Sequence, residues 1–364
     1  MALAEVKRMR TLNKYIAREI ASSTLLVLSA LLLLWIFYDL LQELGQLKQL
    51  NGAQYFILIA ATIPSHLYEL LPIAALIGTL FALAQLSSNS EYGVMRTSGV
   101  SVAQISGVVL GVGLAIATIV FVIGEYAVPR AEQLVQRVKA FSGARPFAAR
   151  AFQSGHWFKD GNTFINIASV LPDGALRGVR VFEYADSVTL SRSLTAESAR
   201  FNAGRQWTLE KAVETKFGAG QVTARELPSM SWNTVITPGM LSVLQIAPER
   251  LSVEGLWEYI GHLKSNAQDS QRFEVALWGK FFYPLATCVL MLIALPFAQI
   301  QQRSGGVGAR VFTGILLGLV FIVVNRLFSF LALLYNWPPV LGAMLPGAIF
   351  LSAAAYMVWR LERR

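Results

Sequence analysis

Six stretches of this chain stay apolar for longer than the core of a water-soluble fold requires. Residues 20–38 carry no charged side chain, and the long apolar segment of residues 55–86 is interrupted by Pro64, Glu69 and Pro72. Further stretches cover residues 102–128, 281–299, 311–331 and 340–359. At 1.5 Å of rise per residue, about 20 residues cross the ~30 Å hydrocarbon layer, so each stretch predicts a membrane-spanning helix. The last two are parted by Asn336-Trp337-Pro338-Pro339, a turn that no helix continues through. Lys7, Arg8, Arg10 and Lys14 ahead of the first run imitate a secretory leader, but the run is too long and no small-residue cleavage site follows it.

Between the third and fourth stretches the pattern changes period. From residue 142 to about residue 250, short runs of strand-forming residues alternate with turn formers. Trp157-Phe158 and Thr163-Phe164-Ile165 flank Lys159-Asp160-Gly161-Asn162, a hairpin-type turn. Val179-Arg180-Val181-Phe182 follows Pro172-Asp173-Gly174, and Trp207-Thr208-Leu209-Glu210 follows Asn202-Ala203-Gly204. Such spacing predicts an all-β sandwich or open roll. Ser252 then reads as the cap of a helix running to about Ser265. The expected architecture is an α-helical membrane protein with six transmembrane helices, three plus three, and an inserted all-β domain. Its segments are residues 1–141, 142–250 and 251–364, with no repeat between the halves.

Composition agrees with the pattern. Of 364 residues, 54% are hydrophobic and only 15% charged, with a mean hydropathy of +0.50, whereas soluble domains carry about 25% charged residues. A soluble enzyme, an acidic disordered chain and a disulfide scaffold are excluded, the last because Cys288 is the single cysteine. The net charge of +9 invites a nucleic-acid reading, but most of the charge flanks the apolar stretches. Eleven Lys and Arg lie at the N-terminus, in the second-to-third and fourth-to-fifth connections and in the tail, against Lys48 alone in the opposite short loops. By the positive-inside rule both termini are expected in the cytoplasm and the β domain outside it.

Catalytic chemistry is missing. No G-x-x-x-x-G-K-[ST] phosphate loop occurs, and Gly279-Lys280 lacks the upstream glycine, so ATP hydrolysis would need a separate partner. His66, His156 and His262 are scattered singly and predict no metal site. Ser154-Gly155-His156 and the stretch around Ser304-Gly305-Gly306 match no nucleophile elbow, so a membrane-embedded hydrolase lacks its nucleophile, base and orienting group.

Five charged residues interrupt or border the spans: Asp39, Glu69, Glu125, Lys280 and Arg326. Counted along their helices, they share a level in roughly the outer third of the membrane. Two readings stand. Lys280 and Arg326 snorkel to the interface or pair with Glu69 and Glu125, or they line a cavity that holds an anionic head group. Arg130, Arg137 and Lys139, just beyond the third span, are likewise either a solvated face beside lipid phosphates or substrate contacts. In the second-to-third loop, Asn89 or Ser88 can cap a short helix that carries Glu91 in its first turn and ends at Gly99. Tyr92, Val94 and Met95 are expected to be exposed there, either for insertion into a partner's groove or as a plain interfacial connector.

Pro72-Ile73-Ala74-Ala75-Leu76-Ile77-Gly78, followed by residues 88–99 of that loop, resembles the lipopolysaccharide export permease family of the LptF/LptG type. Gly124-Glu125-Tyr126-Ala127-Val128-Pro129, the Trp157 to Asn162 run and Trp337-Pro338-Pro339 are similar to its LptG branch. The resemblance covers nearly the whole chain. It implies a non-enzymatic permease subunit of a Gram-negative inner membrane, paired with an LptF-type subunit and driven by an LptB-type ATPase dimer that consumes the ATP. It further implies lipopolysaccharide as cargo, and a periplasmic jelly-roll joining an LptC/LptA-type bridge. On this resemblance the coupling helix falls on residues 89–97, with Glu91, Tyr92, Val94, Met95 and Arg96 meeting the ATPase, and Lys139 matches a basic position implicated in substrate contact. Where some members carry lysines at the outer end of the first helix, this chain has Ile36, Gln42 and Glu43. Head-group recognition is therefore expected to rest on Arg130, Arg137, Lys139, Lys280 and Arg326. A different class of protein, a mechanotransmission or scaffold subunit that uses a partner's ATP without moving lipid, fits the same six-span plan.

Overall fold

The computed structural model describes residues 2–46, 51–141, 155–171, 174–186, 188–202, 206–218, 220–243, 246–300 and 307–363. Six helical stretches among them are long and apolar enough to cross a membrane. They lie in α1 (Ala2–Gln46), α2 (Gly52–Ser88), α4 with α5 (Val102–Val122 and Val128–Phe141), α8 (Gln271–Ile300), α9 (Val307–Leu334) and α10 (Pro339–Glu362). A seven-residue helix, α3 (Glu91–Thr97), joins α2 to α4. Six strands follow α5: β1 (His156–Asp160), β2 (Thr163–Val170), β3 (Leu176–Tyr184), β4 (Leu190–Phe201), β5 (Gln206–Gly218) and β6 (Gln221–Asn233). Two short helices, α6 (Pro238–Val243) and α7 (Val253–Ser265), lead to α8.

Every predicted span is a helix, generally longer than the apolar stretch that announced it. Pro64 and Pro72 lie inside α2 without breaking it, as membrane helices tolerate where neighbours satisfy the freed backbone groups. Proline acts differently in the third span. Pro129 has no N–H to offer the carbonyl of residue 125, and the backbone widens into a π-turn over Ile123–Ala127 between α4 and α5. Helices α1 and α2 meet backbone to backbone: a Cβ placed on Gly78 would lie 2.5 Å from the Thr24 Cα, so only glycine permits the crossing.

The chain forms two compact units. One comprises Met1–Gln42, Thr62–Pro129 and Gln271–Arg364, with a core that includes Leu76, Leu80, Val109, Leu290 and Ala294. The other comprises Glu43–Ala61 and Arg130–Ser270 and contains the sheet.

The six strands pair antiparallel in sequence order, each beside its predecessor, in one continuous sheet. Of the arrangements the turn spacing allowed, this is the open one. β1 and β2 are joined by a two-residue turn with Asp160 opposite Thr163, and Gly161 adopts φ +59°, the conformation for which glycine suits that position. The Gly161 N–H donates to Asn266 Oδ1 at 2.8 Å, fastening the hairpin to the end of α7. One face is buried: Phe158, Ile165, Val181, Leu194, Trp207 and Leu209 form its core, and Trp207 Nε1 donates to the Ile236 carbonyl at 2.9 Å. The anticipated strands fall within β1, β2, β3 and β5, whereas β4 and β6 carried no distinct signal. Pro172-Asp173 and Ala203-Gly204, anticipated as turns, lie outside the described residues. Ser252 caps α7 as expected, its hydroxyl accepting from the Gly255 N–H at 3.1 Å.

Candidate functional site

No helix of α3's length is stable alone, so its flanks hold it. The expectation that Asn89 or Ser88 caps it is corrected: Ser90 is the residue before the helix, at φ +63° with no side-chain cap, while the Ser88 hydroxyl donates to the Gln85 carbonyl and Asn89 Nδ2 to the Glu91 carboxylate at 3.3 Å. Glu91 opens the helix, where its charge complements the N-terminal dipole. Gly99 ends it at φ +89°, with its N–H donating to the Arg96 carbonyl and the Val100 N–H to Met95. The expectation that Tyr92, Val94 and Met95 are all exposed is corrected. Tyr92 and Met95, three residues apart, share a helix face that packs into the membrane-unit core, while Val94 is 63% exposed. The surface offered outward is therefore half-buried Glu91 with Val94, Arg96 and Thr97. Glu91 also accepts the Tyr15 hydroxyl at 2.8 Å, which links α3 to α1. Sequence reasoning missed that link, because the two residues lie 76 positions apart.

The intramembrane charges differ in surroundings. His66 Nε2 and Asp39 Oδ2 meet at 2.6 Å between α2 and α1, with the Trp35 ring stacked on the imidazole. Lys280 is 3% exposed; its Nζ donates at 2.8 Å to the Gly124 carbonyl, inside the π-turn, and lies 5.3 Å from the Tyr68 ring centre. The irregular backbone of the third span thus has its own cation. Gly124 is needed there, since a Cβ would lie 2.5 Å from the Tyr68 ring. Arg326, in contrast, is exposed on α9 and makes no ion pair among the described residues.

In the unit that holds the sheet, Arg130 and Arg137 are exposed and Lys139 is half-buried on α5. At 100° per residue, Arg130 and Arg137 share a face and Lys139 lies on the opposite side. Glu132, singled out by no sequence signal, is buried and accepts from Arg250 Nη1 at 2.6 Å, tying α5 to the segment after the sheet. Leu58 and Ala61 of α2 pack on Val135 of the same helix. The sheet's other face carries aromatic pairs on β1–β3, Trp157 stacked with Phe182 and Phe164 edge-on to Tyr184. Burial holds the His156 and His262 imidazoles below their ordinary pKa, and two backbone N–H groups hold the Asp186 carboxyl below the usual carboxylate range.

No group of three or more His, Cys, Asp or Glu that could hold a metal occurs among the described residues. What the arrangement offers is mechanical and electrostatic: a short helix that opens on Glu91 and is tied to a membrane span, and cations on exposed faces.

Residues 14–360 match the family described as lipopolysaccharide export system permease LptF/LptG. The chain is 33% identical over 358 residues to the lipopolysaccharide export system permease protein LptG of Escherichia coli strain K12, covering 96% of this chain and 98% of that protein. It is 31% identical over 360 residues to the protein of the same description in Haemophilus influenzae, covering 97% and 98%.

Proposed function

Because this chain belongs to the lipopolysaccharide export permease LptF/LptG family, we propose that it is one permease half of an ATP-driven exporter. The exporter draws lipopolysaccharide from the inner membrane and passes it to a periplasmic bridge. The observation that carries the reading is the family match from residue 14 to residue 360, which spans both helical halves and the inserted sheet. In this reading both termini and α3 face the cytoplasm and the sheet lies in the periplasm, as the Lys and Arg distribution supports. The partners are an LptF-type permease, an LptB-type ATPase dimer under α3 and an LptC/LptA-type bridge. The chain holds no cofactor, and ATP is consumed by the partner.

Mechanically, closure of the ATPase dimer displaces α3 through Glu91, and the Tyr15 hydroxyl passes the displacement to α1. Movement of α1 narrows the cavity between the two permeases and expels the acyl chains toward the sheet, whose apolar surface shields them from water. Arg326, Arg130, Arg137 and Lys139 are the head-group contacts, while Lys280 supports the third span through Gly124.

Charge reversal, Glu91→Lys, tests the coupling in the reconstituted assembly. ATP hydrolysis should no longer drive release of lipopolysaccharide to the bridge protein; transport at the wild-type rate refutes the coupling role. Analysis of lipid bound to the purified assembly tests the cargo. An assembly free of glycolipid that still moves its sheet unit on ATP addition would favour mechanotransmission instead.

A further inference from the structure

We propose that the groove between α1 and α4 holds an anionic phospholipid of the cytoplasmic leaflet, its phosphate on Lys14 and Arg18 and an acyl chain along the glycines of α4. The groove measures about 960 Å³, near the upper end of the ~300–1,000 Å³ range of small-molecule sites. Its polarity is graded. Asn13, Lys14 and Arg18 of α1 line one end with Gln104 of α4, and from there Ala17, Ala21 and Leu25 face Gly107, Gly111 and Ala115. From Lys14 to Leu28 the lining runs about 21 Å along α1, enough for one leaflet of a ~30 Å hydrocarbon layer.

The gap is not closed by side chains. A Cβ on Gly107 or on Gly111 would meet nothing within 4 Å. Stripes of small residues ordinarily bring membrane helices into contact, yet here α1 and α4 leave open space. In a bilayer such space fills with hydrocarbon. The polar end decides which kind: Lys14 and Arg18, one helical turn apart, are exposed and make no ion pair among the described residues. Two neighbouring cations at the mouth of an apolar slot fit a phosphodiester with an acyl tail, whereas a docked apolar helix would leave them unmatched. This lipid is distinct from the exported cargo. Only its leaflet rests on the orientation proposed above.

The full-length chain, purified with its co-expressed partners, is placed in nanodiscs of equal phosphatidylglycerol and phosphatidylcholine. Lipid retained after detergent exchange is then counted by native mass spectrometry. Phosphatidylglycerol should be retained over phosphatidylcholine by about 30-fold, roughly fivefold per cation. In the Lys14→Gln/Arg18→Gln variant that preference should fall to near unity. Gly107→Leu/Gly111→Leu, whose side chains enter open space, should retain neither lipid while keeping the wild-type melting temperature. Equal retention of both lipids by the wild type overturns the proposal. So does undiminished retention in the filled variant, or a photo-crosslinker at Gly111 that captures a protein helix. Lipopolysaccharide release is read in parallel: export lost with lipid retained counts against the transport reading alone, and export kept with no lipid retained counts against this site alone.

Discussion

Lys280 and Arg326 lie on neighbouring spans of the sequence and carry the same charge, yet one is enclosed and the other exposed. Lys280 is enclosed and donates to Gly124 in the π-turn; truncation to Ala leaves that carbonyl and a cavity, at a cost of about 1–3 kcal/mol. Arg326 is exposed, so Arg326→Gln should shift stability by less than about 0.5 kcal/mol while lowering lipopolysaccharide release. Thermal unfolding in detergent and a transport assay separate the two, and equal destabilisation by both changes would contradict the contrast. Titration offers a second prediction. His156 and His262 are kept below the ordinary pKa by burial, so as pH falls below about 6.5 the unfolded chain takes up protons that the folded sheet unit resists. Stability is thus unaffected above that range and declines below it; the depressed Asp186 and Glu197 carboxyls act in a separate, more acid window. The urea midpoint of the sheet unit's step in the full chain should drop between about pH 7.5 and pH 5.5, with a smaller drop in His156→Gln/His262→Gln. A drop of equal size in that variant would remove the histidines as its cause.

At the scale of elements, the loop signals for α3 were legible: an acidic first turn and a glycine stop both stand where composition placed them. Its inward face was not, because ten residues do not reveal which side a larger bundle covers. Only the fold shows that Tyr92 and Met95 anchor α3 while Glu91 reaches Tyr15. Tyr15→Phe removes one exposed hydrogen bond and should leave ATPase binding and the melting temperature unchanged. Lipopolysaccharide released per ATP should fall. If that ratio is unchanged while Glu91→Lys abolishes it, α3 acts without α1. The third span makes a similar point. Pro129 was visible in the sequence, but that the helix widens there, with Lys280 donating to the Gly124 carbonyl and Tyr68 beside it, is visible only in the fold.

For the whole molecule, the two compact units have separate cores, one within the helices and one on the sheet around Trp207. Unfolding should therefore proceed in two steps. Trp207→Ala, which removes the largest buried side chain of the sheet and its bond to Ile236, should lower one step by about 3–5 kcal/mol and leave the helical signal of the other in place; a single merged transition would contradict this. The six spans, the inserted β region, the cap at Ser252 and the family were legible in the residues, because each is written in local periodicity, turn chemistry or contiguous motifs. Only the folded chain shows which cation is enclosed and which exposed, which face of α3 looks outward, and that Glu132 meets Arg250 across 118 residues. Those outcomes depend on neighbours distant along the chain, and burial and pairing are properties of the assembled surroundings rather than of any residue's own identity.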